Sequence, residues 1–255
     1  MKFIKLLLVF LIFITPVYAK ETVDFIHITD TNLNKDNASA IYKTIKEINT
    51  YKNIDFVVFG GNNIAHADFD SLDAFMWLVK KLNKKTVVLM GSTDVVSSEG
   101  IDKKYYLRRA FFARKFRHSL KPNYVFKKNG CVFVVMDGAK QYMQSTNGYY
   151  NAKELHFLDK TLTKYKDKPV IILQHFPPVK SNSKWKETAK YEDYQEVLSK
   201  HSNVKMIVSG HYGSNLEFKQ NGIYYIITES YNKNGAYKVI QYDVKDNFIG
   251  TYLVK

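Results

Sequence analysis

Short apolar runs alternate along this chain with segments of helical periodicity. Six runs are rich in β-branched residues and almost free of polar positions, which predicts strands that are covered on both faces. These runs are Val23–Ile28, Ile54–Phe59, Thr86–Met90, Cys131–Met136, Val170–Leu173 and Val204–Val208. Between them, apolar residues repeat at the spacing of amphipathic helices in Ala38–Tyr51, Ser71–Leu82, Ala152–Tyr165 and Tyr191–Ser199. The alternation predicts an α/β fold.

The C-terminal part of the chain has a different pattern. Three apolar segments, Ile223–Ile227, Tyr237–Tyr242 and Phe248–Val254, are separated by short turns rich in Asn, Gly and Asp, which indicates an antiparallel meander. No internal repeat, low-complexity segment or linker rich in Pro, Gly or Ser divides the sequence. We therefore expect residues 20–255 to form one α/β domain, a two-sheet β-sandwich flanked by helices.

The first 19 residues are predicted to be a cleavable signal peptide. A basic start with Lys2 and Lys5 precedes the apolar run Leu6–Ile14, and small residues at Val17 and Ala19 suit cleavage after Ala19. A transmembrane helix needs about 20 apolar residues, so an uncleaved anchor would require a longer run than this one. We expect a secreted or periplasmic protein that has no transmembrane segment after cleavage.

Composition adds a strong positive charge and rules out an internal disulfide. The 255 residues include 38 Lys and Arg against 24 Asp and Glu, which gives a formal net charge of +14. Such a charge fits anionic partners, but a solvated lysine-rich surface has the same composition. We expect no specific recognition of nucleic acid. The single cysteine, Cys131, lies within an apolar run, so the core must stabilise the fold.

All four arginines of the chain are clustered within ten residues: Arg108, Arg109, Arg114 and Arg117. One interpretation is an electropositive collar for a phosphate ester, a polyanionic glycan or a nucleotide, because Arg binds oxyanions through a planar fork of donors. The other is a helix whose aromatic residues pack inward while its cations face water, and we favour this second interpretation. Under the first, Arg108 and Arg109 are candidate ligand-binding residues.

Polar or glycine-containing turns follow five of the predicted strands. In open α/β folds, ligands bind beyond the carboxyl ends of the strands, so these turns mark the candidate site. The turns are Thr29-Asp30-Thr31-Asn32, Gly60-Gly61-Asn62-Asn63, Gly91-Ser92-Thr93-Asp94, Gln174-His175-Phe176 and Gly210-His211-Tyr212-Gly213. Each turn alone is common in loops, but the ordered set is specific.

The ordered set resembles the motifs of the calcineurin-like metallophosphoesterase family. The family pattern has an Asp-x-His turn, then Gly-Asp, then Gly-Asn-His-Asp/Glu, then an isolated His, and finally Gly-His-x-His. The resemblance extends over essentially the whole chain after the signal peptide, and it implies the metallophosphoesterase fold. In the family, these residues bind two divalent metals that bridge a water or hydroxide and the phosphate. A carboxylate shared by both ions holds them together, as two-metal hydrolysis requires.

Several positions depart from the family pattern, while Asp30, His175 and His211 match it. The replaced positions are Asn32 for the histidine of the first turn, Asn62 for the bridging aspartate, Ser92-Thr93 for the Asn-His pair and Gly213 for the last histidine. An amide offers one carbonyl oxygen without charge, and a hydroxyl is too weak an acid to donate a proton as a histidine does. These departures predict that no dinuclear centre forms.

A single metal ion is the alternative to a site without metal. His175, His211 and Asp30 could hold one weakly bound Zn²⁺, Mn²⁺ or Fe²⁺, with Asn62 or Ser92 as a neutral oxygen donor. The family, however, assigns Asp30 and the histidines mainly to different metals. The other interpretation is a hydrogen-bonded remnant of the metal site. The candidate ligand-binding residues in the remaining turns are Asn32, Ser92 and Thr93.

Two further polar residues are interpreted from their places in the pattern. Asp94 could act as a general base, but alone in its turn it is interpreted as a cap of the segment that follows. His27 lies within the first predicted strand and is interpreted as a core histidine.

Three functions are compatible with these residues. The first is an exported, catalytically impaired protein of phosphoesterase fold that binds a ligand or partner through the remnant of the site. The second is a phosphoester hydrolase, a phosphatase or phosphodiesterase, that uses a single divalent metal. The third is a non-enzymatic surface protein that binds anionic glycans. Loss of metal-bridging, metal-ligating and proton-donating groups favours the first function, with a phosphate ester or another anion as its expected ligand.

Overall fold

The computed structural model describes residues 21–113, 120–142, 146–183 and 186–255. The predicted signal peptide lies outside the described residues, as do Arg114 and Arg117. The strands are β1 (Thr22–Ile28), β2 (Phe56–Phe59), β3 (Lys85–Val88), β4 (Tyr124–Lys128), β5 (Cys131–Val135), β6 (Gly148–Tyr149), β7 (Val170–Leu173), β8 (Thr188–Ala189), β9 (Val204–Ser209), β10 (Leu216–Gln220), β11 (Ile223–Ile227), β12 (Tyr237–Asp243) and β13 (Phe248–Val254). The helices are α1 (Ala38–Thr50), α2 (Phe69–Lys81), α3 (Lys103–Ala113), α4 (Ala152–Lys164), α5 (Tyr191–Ser199) and α6 (Tyr231–Asn234).

The strands form two main sheets whose central strands run parallel. One sheet has the order β13-β12-β1-β2-β3, and the other has the order β10-β11-β9-β7-β5-β4. Parallel pairing joins β1, β2 and β3 in the first sheet and β5, β7, β9 and β11 in the second. Antiparallel strands complete one side of the first sheet and both edges of the second. The predicted α/β fold, two sheets flanked by helices, is confirmed.

Each sheet is covered on both faces because successive residues of a strand enter different cores. Phe25, Phe56 and Phe133 pack in the core between the sheets, with ring centroids 5.0 Å apart for Phe25–Phe56 and 5.1 Å for Phe56–Phe133. Ile26 and Val57, the next residues of the same strands, join the core beneath the helices. A strand buried in this way needs apolar residues at consecutive positions, which explains the nearly continuous apolar runs.

Helix α2 shows why the helical segments fold as their periodicity predicts. Asp68 caps the first turn by accepting a hydrogen bond from the Ser71 amide at 2.8 Å. Leu72, Phe75 and Val79 then recur on one side of the helix and are buried against the sheet. Within the described ranges, no helix has both the length and the apolar surface that a membrane crossing would demand.

The predicted C-terminal meander is wrong in one respect. Strands β12 and β13 do form an antiparallel pair, but β11 belongs to the other sheet, where it runs parallel to β9. Helix α6 and the left-handed Gly235, with φ of 75°, connect the two sheets at this point. β11 lies inside the second sheet because it is apolar on both faces. Ile226 is buried in the core between the sheets, and Tyr225 is buried beneath the helices.

Candidate functional site

The polar turns meet where the carboxyl ends of the parallel strands of the two sheets converge. In the first sheet, the Asp30 amide donates to the Gly61 carbonyl oxygen at 2.9 Å. In the second sheet, the Gly210 amide donates to the His175 carbonyl oxygen at 3.0 Å. The His211 amide joins the two sheets by donating to Asp30 Oδ2 at 3.1 Å. The structure thus brings the predicted turns together at one edge of the sandwich.

Left-handed backbone conformations are concentrated in these turns. The residues concerned are Asp30 (φ 53°), Asn32 (φ 41°), Asn62 (φ 51°) and His211 (φ 69°). Such a conformation costs a non-glycine residue about 1 kcal/mol or more, and Asn and Asp tolerate it best. Strained backbone of this kind clusters at functional sites, which supports this edge of the sandwich as the candidate site.

Asp30 is a buried carboxylate whose two oxygens both accept hydrogen bonds. Its Oδ2 accepts from the Thr29 hydroxyl at 2.9 Å and from the His211 amide at 3.1 Å. Its Oδ1 accepts from Asn62 Nδ2 at 3.1 Å. Burial raises the pKa of Asp30, and the three hydrogen bonds oppose that rise because they stabilise the ionised form. Protein donors therefore surround the carboxylate.

Asn62 connects the first turn to the third. Its Nδ2 donates to Asp30, while its Oδ1 accepts from the Thr93 amide at 3.1 Å. The Ser92 hydroxyl donates to the same Oδ1 at 3.3 Å, and Thr93 Oγ1 lies 3.3 Å from it while donating its proton to the Ile64 carbonyl oxygen at 2.7 Å. An ionised aspartate accepts only, so it could not make the contact that Asn62 makes with Asp30. These four candidate residues form a single hydrogen-bond network.

His175 and His211 lie side by side, with ring centroids 5.2 Å apart. His175 Nδ1 is 2.7 Å from the Gly60 carbonyl oxygen, which can only accept, so Nδ1 carries the proton and Nε2 is a bare acceptor. Burial lowers the pKa of His175 to about 4 and that of His211 to about 3. Both Nε2 atoms are buried and lack a hydrogen-bond partner among the described residues. The two rings are therefore neutral near pH 7 and retain capacity to bind a ligand.

Asp30 and the histidines approach each other without direct hydrogen bonding between their side chains. The separation between Asp30 Oδ1 and His175 Nε2 is 3.9 Å. Across the described parts of the chain, no group of three or more His, Cys, Asp or Glu side chains is arranged to hold a metal ion. The three residues that match the family motifs are thus neighbours in the folded chain.

Asp94 and Asn63 hold the second and third turns together. Asp94 accepts hydrogen bonds from the amides of Asn63 and Gly91 at 2.7 Å each and from the Ile64 amide at 3.1 Å. Asn63 Nδ2 in turn donates to the Tyr106 hydroxyl oxygen at 2.8 Å. Burial raises the pKa of Asp94 to about 7 despite these donors. The predicted cap is wrong, because Asp94 binds amides that precede it in the chain rather than those of the following segment.

The other candidate residues lie beside this network or away from it. Asn32 Nδ2 donates to a main-chain carbonyl of its own turn at 3.3 Å. Arg108 is exposed on α3, and Arg109 forms an ion pair with Asp73 of α2, which places its charge in the helical layer. His27 is completely buried, with Nδ1 bonded to a threonine hydroxyl at 2.8 Å, which confirms it as a core histidine.

Two lysines that the sequence did not single out lie at the last turn. Gly213 occupies the place of the second histidine in the family pattern and has φ of 69°. Lys186 Nζ donates to the Tyr212 carbonyl oxygen, and Lys233 Nζ donates to the Gly213 carbonyl oxygen, each at 2.6 Å. Nothing in the local sequence distinguishes these two lysines from the many others, so only the folded chain reveals them.

Comparison with known proteins gives a family match and a distant relative. The family described as calcineurin-like phosphoesterase matches residues 23–213, which include all five turns. A 3′,5′-cyclic-nucleotide phosphodiesterase of Nostoc sp. (strain PCC 7120) is 28% identical over 82 residues, and the match covers 31% of this chain and 31% of that protein.

Two solved structures show the same architecture at low sequence identity. A dimetal phosphatase from Danio rerio superposes with a TM-score of 0.70 at 14% identity, covering 86% of this chain and 95% of that chain. GAP50, the anchor in the inner membrane complex of Plasmodium, superposes with a TM-score of 0.61 at 16% identity, covering 92% and 84% of the two chains. These likenesses establish a shared fold, and the family match includes every turn of the candidate site. The chain therefore belongs to the calcineurin-like phosphoesterase family.

Proposed function

We propose that this protein is exported and binds an anionic ligand through the remnant of the family's catalytic site, without two-metal hydrolysis. The remnant cleft, as we call this region, comprises Asp30, Asn62, Ser92, Thr93, His175 and His211. The observation that carries the proposal is the amide at position 62, which donates to Asp30 a hydrogen bond that a metal-bridging carboxylate could not donate.

Asn62 uses both ends of its side chain. Two-metal hydrolysis relies on closely spaced ions, and a shared carboxylate oxygen would have to face both of them. In this protein, one terminal atom is an NH₂ group that donates to Asp30, and the other is an oxygen that accepts from Thr93 and Ser92. The NH₂ end would repel a cation. The residues present therefore do not fit a dinuclear centre.

The charge balance of the remnant cleft leads to the same conclusion. Two divalent ions bring four positive charges, whereas Asp30 is the single carboxylate among the cleft residues and both histidines are neutral. Two unit charges 4 Å apart repel each other by about 4 kcal/mol at an effective dielectric constant of 20, and doubly charged ions repel four times as strongly. One carboxylate that already accepts three hydrogen bonds offsets little of this repulsion.

The third turn also lacks the proton donor of the family pattern. Thr93 stands in place of the histidine, and its hydroxyl donates to the Ile64 carbonyl oxygen at 2.7 Å. An alcohol is far too weak an acid to protonate a leaving group near neutral pH. The replacements at positions 62 and 93 thus remove different parts of the hydrolytic mechanism.

Metal analysis combined with a phosphoesterase assay tests the proposal. After incubation with Mn²⁺ or Zn²⁺ and gel filtration, we expect substoichiometric metal, because no shared carboxylate is available. Hydrolysis of an aryl phosphate or an aryl phosphodiester should not exceed that of His175→Ala. The matched control is the triple variant Asn32→His, Asn62→Asp, Thr93→His, which should retain more metal than the wild type. Two tightly held ions per wild-type chain, with hydrolysis that His175→Ala abolishes, would overturn the proposal.

One observation favours a second function, hydrolysis with a single divalent metal. The Nε2 atoms of His175 and His211 are buried without a partner among the described residues, and the rings are 5.2 Å apart. With Asp30, they would supply the two imidazoles and one carboxylate of a site for Zn²⁺, Mn²⁺ or Fe²⁺. Such an ion would polarise a phosphoryl oxygen when bound.

Calorimetric titration of chelator-stripped protein tests this second function. A mononuclear site predicts stoichiometric binding of one of the three ions, and His175→Ala and His211→Ala should each abolish it. His156→Ala, at a position on α4 away from the cleft, is the matched control. Absence of binding for all three ions would exclude the mononuclear site.

The export part of the proposal rests on the sequence of residues 1–19. Cleavage after Ala19 predicts that the mature chain begins at Lys20. Intact mass measurement of the protein expressed with its own N-terminus in a bacterial host tests this directly. A membrane-bound product that retains Met1 would contradict cleavage.

A further inference from the structure

Two ammonium groups occupy the space beside Gly213. A Cβ atom added at this glycine would lie 3.1 Å from Lys233 Nζ and 3.9 Å from Lys186 Nζ. The position therefore has no room for the imidazole of the family pattern while the lysines remain where they are. The two lysines come from separate parts of the chain, α6 and the segment before β8, and they converge on this one point.

The contacts of these lysines leave hydrogen-bonding capacity for a ligand. Each Nζ donates to one carbonyl oxygen, that of Tyr212 for Lys186 and that of Gly213 for Lys233. An ammonium has three N–H donors, so each carbonyl contact accounts for one of the three. Lys186 is half-buried and Lys233 is exposed, so a dissolved ligand can reach both. Two like charges this close repel each other, and a bound anion would relieve that repulsion.

A groove of about 560 Å³ opens beside the same turn. Its volume is in the range of small-molecule sites, about 300–1,000 Å³. Its lining combines apolar side chains, Val179, Leu216 and Phe218, with cations and hydroxyl groups, among them Lys180, Ser181, Ser183, Lys186, Tyr212 and Ser214. Lys233 lies at the turn beside the groove and not in its lining. The described residues that line it include no Asp or Glu. The groove therefore complements a ligand that is anionic at one end and rich in hydroxyl groups along its body.

We infer that Lys186 and Lys233 form a metal-independent site for the phosphate group of a phosphorylated, hydroxyl-rich small molecule such as a sugar phosphate. Two ammonium groups match the charge of a phosphate monoester, which is close to −2 near neutral pH. The body of the ligand lies along the groove, where the serine hydroxyls can bond to it. This inference rests on the proposed function, because it assigns to fixed lysine side chains the anion-binding role that two metal ions have in the family.

Calorimetric titration of the mature protein with glucose 6-phosphate, in excess EDTA, tests the inference. We expect saturable binding that Lys186→Gln and Lys233→Gln each weaken about tenfold, since a charge-assisted contact contributes roughly that much. Lys180→Gln, which removes a groove charge without touching the turn, should weaken it less. Lys43→Gln, an exposed lysine on α1, is the matched control and should leave binding unchanged. Glucose alone should not bind.

Several results would overturn the inference. The first is the absence of saturable binding up to about 10 mM glucose 6-phosphate. The second is binding that both lysine variants retain. The third is equal affinity for inorganic phosphate and glucose 6-phosphate, which would show that the groove does not contribute to binding. A melting curve checks that each variant is folded, and if the Lys233 variant unfolds, the Lys186 and Lys180 variants still decide the question. Failure of the proposed function would show differently, as metal-dependent hydrolysis in the assay described above.

Discussion

The two halves of the remnant cleft differ in how far they satisfy their own polar groups. In the first half, the turns after β1, β2 and β3, Asp30 and Asn62 are joined in one network and Asp94 accepts from three backbone amides. In the second half, the turns after β7 and β9, His175 and His211 present Nε2 atoms that no described residue contacts by a hydrogen bond. Two lysine ammonium groups lie at Gly213 of the same half.

This difference indicates which half retains a binding role. Polar groups that are bonded to each other stabilise the fold and have little capacity left for a ligand. Asn63 Oδ1 is the exception in the turns of the first half, because this buried oxygen has no hydrogen-bond partner among the described residues. Buried polar groups without a partner carry an energetic penalty that a ligand can relieve. On the function proposed above, the amide at position 62 makes Asp30 and Asn62 part of the internal structure, whereas the Nε2 atoms of His175 and His211 remain available to a ligand.

The strongest test of the first half is the removal of Asp94. Asp94→Ala leaves the buried amides of Asn63, Ile64 and Gly91 without their acceptor, and each loss costs roughly 1–3 kcal/mol. We expect the free energy of unfolding to fall by about 4 kcal/mol in urea denaturation. Asp167→Ala, at an exposed position, should change it little. A loss as small as that of the control would show that the network does not stabilise the fold.

The buried histidines of the second half should make the free energy of unfolding depend on pH. The pKa of His175 is about 4 in the folded protein and near 6.5 in the unfolded chain, so only the unfolded state gains a proton between these values. The contribution of the neutral His175 side chain to the free energy of unfolding is therefore fully present above pH 6.5 and is lost as the pH falls towards 4. The loss amounts to about 3 kcal/mol at 1.36 kcal/mol per pKa unit. Asp30 and Asp94 of the first half change the stability in the opposite direction. Their pKa values are raised in the folded protein, so the folded state binds more protons than the unfolded state on acidification.

Urea unfolding of the wild type and of His175→Asn, at about pH 7 and about pH 4.5, measures this contribution. The variant should lose less stability on acidification than the wild type does. His27 and His211 are also buried with lowered pKa values, and a charge on His175 lowers both of them further, so the difference between the two proteins measures His175 together with its coupling to these two rings. Identical pH dependence of the two proteins would contradict the assignment.

Restoring the bridging carboxylate sharpens the contrast between the halves. Asn62→Asp replaces the donor that lies 3.1 Å from Asp30 Oδ1 with a second acceptor, so two carboxylates face each other. In the presence of EDTA, we expect the free energy of unfolding to fall by about 2 kcal/mol. Mn²⁺ or Zn²⁺ should recover part of the loss, since a cation relieves the repulsion. Asn215→Asp, at an exposed position, should respond to neither condition, and equal stability of the two variants in EDTA would contradict the role of the amide.

Sequence patterns predicted the strands of the first sheet and the inner strands of the second sheet, but not β4 and β10, the two edge strands of the second sheet. The strands β1, β5, β7 and β9 are buried on both faces, so their apolar runs identify them directly. β10 was missed because it is an edge strand with exposed polar residues, such as Glu217 and Lys219, and no continuous apolar run. The burial of β11 between two neighbours depends on that edge strand, which is why its sheet was assigned wrongly.

The candidate site was predictable only as far as each group lies in a strand-end turn. Asp30, Asn62, His175 and His211 follow parallel strands, and their order along the chain led to the family motifs. Lys186 and Lys233 contact the last turn only because the folded chain brings their side chains to it. Their carbonyl partners are 26 and 20 residues away in the sequence, respectively. No local pattern encodes such a contact, so these lysines could not be found from the sequence.

The smallest expected effect concerns the two described arginines, whose charges lie in the helical layer and not beside the last turn. Arg109 pairs with Asp73, and both side chains are about half exposed, at 42% and 52%. Ion pairs of this kind contribute about 0.5 kcal/mol or less because solvent screens them. We therefore expect Arg108→Gln/Arg109→Gln to change the free energy of unfolding by no more than that amount and to leave glucose 6-phosphate affinity unchanged. A loss of affinity as large as that of Lys186→Gln would place the arginine collar at the cleft, and anion binding would then no longer separate the second half from the rest of the surface.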